Sequence, residues 1–364
     1  MRIIFAGGGT GGHIYPAIAV AEEILNRQPD ADILFISGTK EIERKIITDA
    51  GFSMKTLSVI GMPRKLSPVL IRFIFELGKS IMKSRKYLRD FDPSVVMATG
   101  GYVSAPPVIA ARRLGIPVVI QEQNSYPGFT TRKLGRFADV ICLGFGDAKK
   151  YFGKNAEIKV TGNPVRGMIG SADRGISAES FGLDPEIKTL LVFGGSQGSR
   201  AINGVFSEIA EKCAEKGFQV IWQTGENEFE SMAKYNGSCN GRIRVLPYIG
   251  NMSAAYAASD LAVTRAGALT IAELTACGLP AVFIPLPSAA ANHQEHNAVS
   301  LMNAGAAVMI KEKDLTPELL AKEIFGILAS DDRRKEMSIA SENCGNKDAA
   351  GVIAGMLLDR YAGN

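Results

Sequence analysis

Three stretches of this sequence bring glycine, hydroxyl and ionisable side chains together at spacings that could do chemistry. The first is Gly7-Gly8-Gly9-Thr10-Gly11-Gly12-His13. It fits G-x-G-x-x-G between an apolar run and a helical pattern, so backbone amides and a helix N-terminus could hold a diphosphate there. Tight packing of the loop would ask for glycine equally well. A dinucleotide site would want an acidic residue at the end of the second strand, but the chain has Ser37-Gly38-Thr39 there; the Gly-Lys-Ser/Thr ending of a P-loop is also missing. His13 falls at the helix start, where the positive end of a dipole suits a neutral, proton-accepting imidazole. It is a candidate general base, or equally a capping or packing residue.

The second stretch, Gly194-Gly195-Ser196-Gln197-Gly198-Ser199, repeats the loop and adds the hydroxyls of Ser196 and Ser199, making a second candidate phosphate cradle. The third, Thr264-Arg265-Ala266-Gly267-Ala268-Leu269-Thr270-Ile271-Ala272-Glu273, turns from a strand through small residues into a helix. Its first amides have no intrahelical partner. Glu273, about one turn inside, could take the vicinal hydroxyls of a ribose or simply favour the helix start. His293 and His296 form H-x-x-H without a nearby third ligand, which points to sugar or phosphate contact, or plain surface, rather than metal. Asp30-Ala31-Asp32 has the spacing of a D-x-D metal motif but precedes a strand and reads as a solvated turn. No metal and no other cofactor is expected.

Parallel sheets are needed to position these loops. Apolar runs at residues 2–6, 33–37, 95–99, 118–121 and 140–144 alternate with helical patterns, the first of them at residues 16–26, and predict a Rossmann-like α/β domain. After Gly162-Asn163-Pro164 the pattern restarts, with strands expected at 189–193, 220–224, 242–246, 261–264, 281–284 and 307–310. Pairing Gly7 with Gly194 also pairs Gly8 with Gly195 and Gly11 with Gly198, a weak internal echo. The expected division is residues 1–163, 164–340, and a terminal helix in 341–364 packing back toward the first domain. Two such domains would face each other across a cleft, with ligands at the carboxyl ends of the strands.

Composition narrows the class. With 364 residues, 46% hydrophobic and 21% charged, the chain reads as a globular protein of two ordinary domains. Five scattered cysteines without metal-ligand spacing read as reduced thiols, and Met1 leads straight into a strand-like run, which leaves no room for a signal peptide. A cytoplasmic location is expected. The net charge of +4 hides an asymmetry: residues 1–163 carry 23 Lys and Arg against 14 Asp and Glu, and the remainder 18 against 23. A basic first half suggests an anionic surface or ligand, either phosphorylated lipid or nucleic acid.

Residues 66–89 have helical period, with Arg72, Glu76, Lys79, Lys83 and Lys86 on one polar stripe. Leu66, Leu70, Phe73, Ile74, Leu77 and Ile81 are expected on the core face. Ile71, Phe75 and Met82 fall beside the basic stripe, as in a helix lying on an anionic bilayer or one covered by another loop. No run approaches the 18 or so apolar residues of a membrane span.

Residues 7–13, Gly100-Gly101-Tyr102, Glu122-Gln123-Asn124, Gly162-Asn163-Pro164-Val165-Arg166, residues 194–198, residues 265–273 and His293-Gln294 occur in the order of the MurG family, the N-acetylglucosaminyltransferases of peptidoglycan synthesis. The chain closely resembles that family over essentially its full length. The resemblance implies a GT-B fold, UDP-N-acetylglucosamine on the C-terminal domain, and a lipid-linked acceptor along the N-terminal one. It implies lipid II as product, a peripheral position on the cytoplasmic face of the cell membrane, and no nucleic-acid partner. By motif, Ser196 and Ala268-Leu269-Thr270 would face the donor diphosphate, Glu273 the ribose and the Ile249 backbone the uracil. Gln294, Asn124 and Thr10-Gly11-Gly12 would surround the sugar, with Arg166 near the donor. The loops at 7–12 and 100–102 would receive the acceptor's diphosphate. Many members read His-Glu-Gln-Asn where this chain has Gln121-Glu122-Gln123-Asn124, which leaves His13, then Glu122, as candidate base.

The implied reaction is direct displacement at the anomeric carbon by the acceptor's 4-hydroxyl, with inversion and with domain closure about residues 162–166. The alternatives are a UDP-N-acetylglucosamine 2-epimerase on the same architecture, a non-catalytic nucleotide-sugar-binding protein and a dehydrogenase.

Overall fold

The apolar runs become strands buried on both faces, as parallel sheets covered by helices require. In the computed structural model, which describes residues 1–61, 68–153, 156–167 and 169–362 and only the backbone of 68–70, two compact units are present. The first comprises Met1–Arg166 and Asp348–Asn364, the second Gly167–Lys347.

Among the described residues, the first unit has strands β1 (Arg2–Gly7), β2 (Asp32–Ser37), β3 (Ser53–Thr56), β4 (Val95–Gly100), β5 (Val118–Glu122), β6 (Val140–Leu143) and β7 (Glu157–Val160). All are parallel, in the order β3-β2-β1-β4-β5-β6-β7. Successive residues of β1 face opposite cores: Ile3 and Phe5 join the helix Gly11–Arg27, while Ile4 and Ala6 join Val108 and Ala111 on the other side. The second unit has β8 (Thr189–Phe193), β9 (Gln219–Gln223), β10 (Ile243–Leu246), β11 (Leu261–Thr264), β12 (Ala281–Phe283) and β13 (Ala307–Met309), in the order β10-β9-β8-β11-β12-β13. Each sheet therefore reverses its winding at its first strand, between β1 and β4 and between β8 and β11. Diverging connections there leave open the loops at the strands' carboxyl ends.

Two short edge strands, β3 and β7, were absent from the sequence expectation; their residues, Ser-Met-Lys-Thr and Glu-Ile-Lys-Val, are half exposed. The division expected after residue 340 falls inside the helix Asp331–Cys344, and the chain joins the first unit from Asp348. There the helix Ala349–Tyr361 lays Ile353, Ala354 and Leu357, all fully buried, into the core that holds the Gly11–Arg27 helix. Arg360 donates to both carboxylate oxygens of Glu157, at 2.6 and 2.9 Å, and so ties that helix to β7. All five cysteines are free thiols. Burial pushes Cys142 and Cys213 up to about 12, so both stay protonated at neutral pH.

The helix Pro68–Phe91 departs from its expected core face. Among its described side chains, those from residue 71 on, burial is confined to the second half, where Ser80, Ser84 and Leu88 face inward and the Ser80 hydroxyl donates to the Ser58 carbonyl at 2.9 Å. Ile74, assigned to the core by periodicity, is 61% exposed, beside Ile71 at 74%, Phe75 at 64% and Met82 at 67%. Lys79 lies 4.5 Å from the Phe75 ring centroid. Leu66, and the side chain of Leu70, lie outside the described residues. No helix of the described residues is long and apolar enough to cross a membrane.

Because Leu357 is fully buried against the first unit's core, Leu357→Ala should cost about 2–5 kcal/mol. Denaturant unfolding measures this; a loss under about 1 kcal/mol would mean that the terminal helix does not belong to that core.

Candidate functional site

In the first unit the loops after β1, β4 and β5 meet at the winding reversal. Gly7 and Gly8 of the first loop, and Gly101 beside them, serve close packing. A Cβ on Gly7 would lie 2.1 Å from the Thr99 Oγ1, and one on Gly101, at φ +79°, would lie 2.2 Å from the Gly8 carbonyl oxygen. The Gly8 N–H donates to the Gly100 carbonyl at 3.3 Å, and the Gly9 N–H to Glu43 Oε1 at 2.7 Å. Those two amides are spent within the protein. What the loop can offer an anion is the set after them, Thr10, Gly11 and Gly12, whose N–H groups find no acceptor among the described residues. Glu43 was missed by sequence reasoning. It reads as an ordinary acid in the first turn of the helix Glu41–Asp49, yet it is buried and also accepts from the Ser37 hydroxyl at 3.1 Å.

His13 is half buried, and its Nδ1 lies 3.0 Å from Gln123 Oε1. Gly100, at φ +112°, passes so close that a Cβ would sit 2.8 Å from Nδ1. Glu122 is buried with both oxygens engaged: Oε1 accepts from the Asn124 N–H and side-chain amide at 3.0 and 3.1 Å, and Oε2 from the Gly128 N–H at 3.2 Å. It shapes the loop that carries Asn124, and its three accepted hydrogen bonds leave one lone pair, on Oε2. Arg166 is exposed, its guanidinium 5.3 Å from the Tyr15 ring centroid. Burial raises the nearby Glu22 carboxyl above its usual value, with the Arg166 charge opposing.

The second unit builds its site from the loops after β8, β9, β11 and β12. Gly198, at φ +73°, would put a Cβ 1.9 Å from the Thr224 carbonyl oxygen, so only glycine lets the two loops cross. Ser196 is exposed. Ser199 is not available in the way its sequence position suggests: its hydroxyl caps the helix Arg200–Ser207, accepting from the Ile202 N–H at 3.4 Å and from Arg265 Nη2 at 2.8 Å. Arg265 also donates to the carbonyls of Ile284 and Pro285, at 3.0 and 3.3 Å, and pairs with Glu312. Its role is to bind the loops to one another.

The helix Ala268–Ala276 starts with Gly267 at its N-cap and no side-chain cap. The amides of Ala268, Leu269 and Thr270 therefore keep the donor capacity that a helix start confers. Glu273 Oε2 accepts from the Tyr256 hydroxyl at 2.7 Å, and Tyr256 is itself buried. Tyr256, on the helix Met252–Ala257, had no sequence signal, being one more aromatic on a core face. The Ile249 N–H is donated to Gln223 Oε1 at 2.8 Å, and Gln223 Nε2 reaches the Gly195 carbonyl at 2.9 Å. Ile249 thus has its carbonyl, not its amide, to offer a ligand. Gln294 Oε1 accepts from the Leu286 N–H at 3.0 Å, which leaves its NH2 group as the donor end. His293 Nδ1 contacts the Ala290 carbonyl at 2.8 Å, and His296 is exposed. Asp30 lies in an exposed turn and Asp32 opens β2. Among the described residues, no group of three or more His, Cys, Asp or Glu is placed to hold a metal ion.

Helix starts at the winding reversal of a parallel sheet are where such sheets take phosphorylated ligands, and the relatives narrow this to a class, the glycosyltransferases. The glycosyltransferase family 28 N-terminal domain matches residues 3–143 and the family 28 C-terminal domain residues 189–353. The UDP-N-acetylglucosamine--N-acetylmuramyl-(pentapeptide) pyrophosphoryl-undecaprenol N-acetylglucosamine transferase of Desulforamulus reducens is 42% identical over 360 residues, covering 97% of each chain. The crystal structure of Acinetobacter baumannii MurG superposes with a TM-score of 0.80 at 28% identity, covering 98% of this chain and 99% of that one. A UDP-GlcNAc 2-epimerase from Neisseria meningitidis, bound to UDP-GlcNAc, reaches 0.68 at 15% identity over 99% of this chain and 100% of that one, a likeness of fold alone. The chain belongs to the MurG family of N-acetylglucosamine transferases, within glycosyltransferase family 28, and has the GT-B fold.

Replacing Glu122 by Gln turns one of its two acceptors into a donor set against an N–H. The variant should lose about 1–3 kcal/mol of stability, and the Gly128 amide should exchange faster. Equilibrium unfolding and hydrogen exchange read both; no change in either would mean that the carboxylate does not hold this loop.

Proposed function

We propose that this chain transfers N-acetylglucosamine from UDP-N-acetylglucosamine to the 4-hydroxyl of undecaprenyl-pyrophosphoryl-N-acetylmuramyl-pentapeptide, lipid I, and so forms lipid II. The observation that carries the reading is the start of the Ala268–Ala276 helix: uncapped amides with a carboxylate one turn further in, held by the buried Tyr256. A nucleoside diphosphate presents a diphosphate and a ribose diol at about that separation, one helical turn of ~5.4 Å. The amides of Ala268, Leu269 and Thr270, with Ser196, would receive the diphosphate, and Glu273 would accept from the ribose hydroxyls. The Ile249 carbonyl would accept from the uracil N–H, and the Gln294 NH2 would donate to the sugar. Asn124 and the amides of Thr10, Gly11 and Gly12 would complete the sugar and acceptor contacts, with Arg166 near the donor.

Chemistry then needs little more. As the anomeric bond breaks, negative charge grows on the departing UDP, and fixed amide dipoles stabilise it without reorganising. His13 removes the proton from the attacking 4-hydroxyl while that oxygen approaches the opposite face of the anomeric carbon, which inverts α to β. Glu122, with three hydrogen bonds accepted, supports Asn124.

The acceptor's lipid places the chain against the cytoplasmic face of a membrane. The exposed Ile71, Ile74, Phe75 and Met82, beside Lys79 and Lys83, supply an apolar surface with basic flanks for an anionic bilayer.

With purified protein, labelled UDP-N-acetylglucosamine and lipid I, lipid II should form, and donor alone should not be epimerised. His13→Ala should cut kcat by about 10²-fold or more with little change in donor KM, and Glu273→Gln should raise donor KM. Full rate in both variants would overturn these roles, and turnover of donor alone would favour an epimerase. Phe75→Ser with Met82→Ser should weaken binding to phosphatidylglycerol vesicles about 30-fold, since even partial insertion of each side chain contributes about 1 kcal/mol. Unchanged co-sedimentation would move the membrane contact elsewhere.

A further inference from the structure

His13 can accept a proton only from the nitrogen that carries a lone pair, and the first unit contains a device that decides which nitrogen that is. Gln121, Gln123 and Asn163 are 0, 3 and 5% exposed, the first two at the carboxyl end of β5 and the third just after β7. Buried side-chain amides must find partners at both ends, and here each partner dictates the orientation of the next. Asn163 Nδ2 donates to the Gln123 main-chain carbonyl at 2.8 Å, an acceptor whose identity is unambiguous. This turns Asn163 Oδ1 toward Gln121 Nε2, which donates to it at 2.8 Å. Gln121 Oε1 must then face Gln123, whose Nε2 donates to it and to the Thr99 carbonyl at 2.7 Å. With its NH2 group held between those acceptors, Gln123 can show His13 only its oxygen, 3.0 Å from Nδ1. An oxygen there requires Nδ1 to carry the hydrogen.

We propose that Asn163, Gln121 and Gln123 form a one-way chain of amides that holds His13 in its Nδ1–H form, so that the lone pair sits on Nε2, and that they act as positioning residues for the transfer step. This rests on the reading of His13 as the base. In the opposite tautomer Nε2 would carry a hydrogen and could not take one from the acceptor hydroxyl. Two glycines make room for the chain. A Cβ on Gly144 would lie 2.1 Å from Asn163 Oδ1, and one on Gly100 would press on the imidazole itself. The amides do not titrate, so the orientation they impose persists at any pH at which the protein is folded.

The protein has only three histidines, so each can be resolved in the 15N–1H long-range correlation spectrum of histidine-labelled protein, in which the two neutral tautomers give different patterns. Wild-type His13 should show the Nδ1–H pattern. Gln123→Met, which removes the acceptor, should shift His13 toward the Nε2–H form and lower kcat about 10- to 100-fold with donor KM within about twofold. Gln123→Glu keeps an oxygen opposite Nδ1 and should retain the Nδ1–H pattern and more of kcat than Met. Because His293 and His296 lie in the other unit, thermal unfolding followed by circular dichroism checks that the first unit of each variant is folded. An Nε2–H pattern in wild type, or a Met variant with unchanged pattern and kcat, would overturn the proposal. Full activity in His13→Ala would remove the base reading alone, because the wild-type spectrum tests the amide chain independently.

Discussion

A helix must leave its first amides without intrahelical partners, and each unit of this chain starts such a helix beside its winding reversal, after β1 in the first unit and after β11 in the second. The first unit places Thr10, Gly11 and Gly12 there, and the second Ala268, Leu269 and Thr270. A side-chain cap would have satisfied those donors internally, as Ser199 does for the helix Arg200–Ser207 and Thr316 for Pro317–Leu328. At the two reversal points Thr10 makes no side-chain cap and Gly267 has no side chain to make one. Other helices, such as Glu41–Asp49 and Ala349–Tyr361, also start without a side-chain cap, but these two begin in small-residue loops at the carboxyl ends of strands beside a winding reversal, where an anion can reach the donors. A glycosyl transfer that expels a nucleoside diphosphate needs that kind of fixed, uncharged, positive potential.

Everything close to those donors is arranged to keep the loops compact without consuming them. Glu43 takes the Gly9 amide, Gly100 the Gly8 amide, Gln223 the Ile249 amide and Arg265 a set of carbonyls. Each of these is a buried polar contact that would be costly to leave half made. Their combined effect is to fix loop positions through groups that never touch a ligand in the proposed scheme. Tyr256 beside Glu273 and Gln123 beside His13 work the same way, each settling the orientation of the one group meant to meet substrate.

Much of this was legible in the sequence, but unevenly. The interior strands announced themselves because both of their faces are apolar. The edge strands β3 and β7 did not, since an edge exposes one side and tolerates Lys, Ser and Glu. The glycine loops were visible as candidate cradles, yet the pattern could not separate the glycines needed for close approach, Gly7, Gly101 and Gly198, from those bordering the uncommitted amides. Ser199 looked like a ligand group and Glu122 like a candidate base because their types suit those roles; the neighbours that engage them, Arg265 far along the chain in one case and the turn at Gly128 in the other, follow from the folded loops and not from either residue's type. Glu43 and Tyr256 carried no local signal at all. Ile74 was misplaced because helical periodicity assumes a core along the whole helix, and here the core ends near Ser80.

The central claim is that main-chain amides at the start of the Ala268–Ala276 helix hold the leaving diphosphate. Amide hydrogen exchange of the full chain, with and without saturating UDP, tests it most directly. The account predicts that exchange slows sharply at Ala268, Leu269 and Thr270. Protection confined to other segments, with those three amides exchanging at the same rate in the presence of UDP, would contradict it.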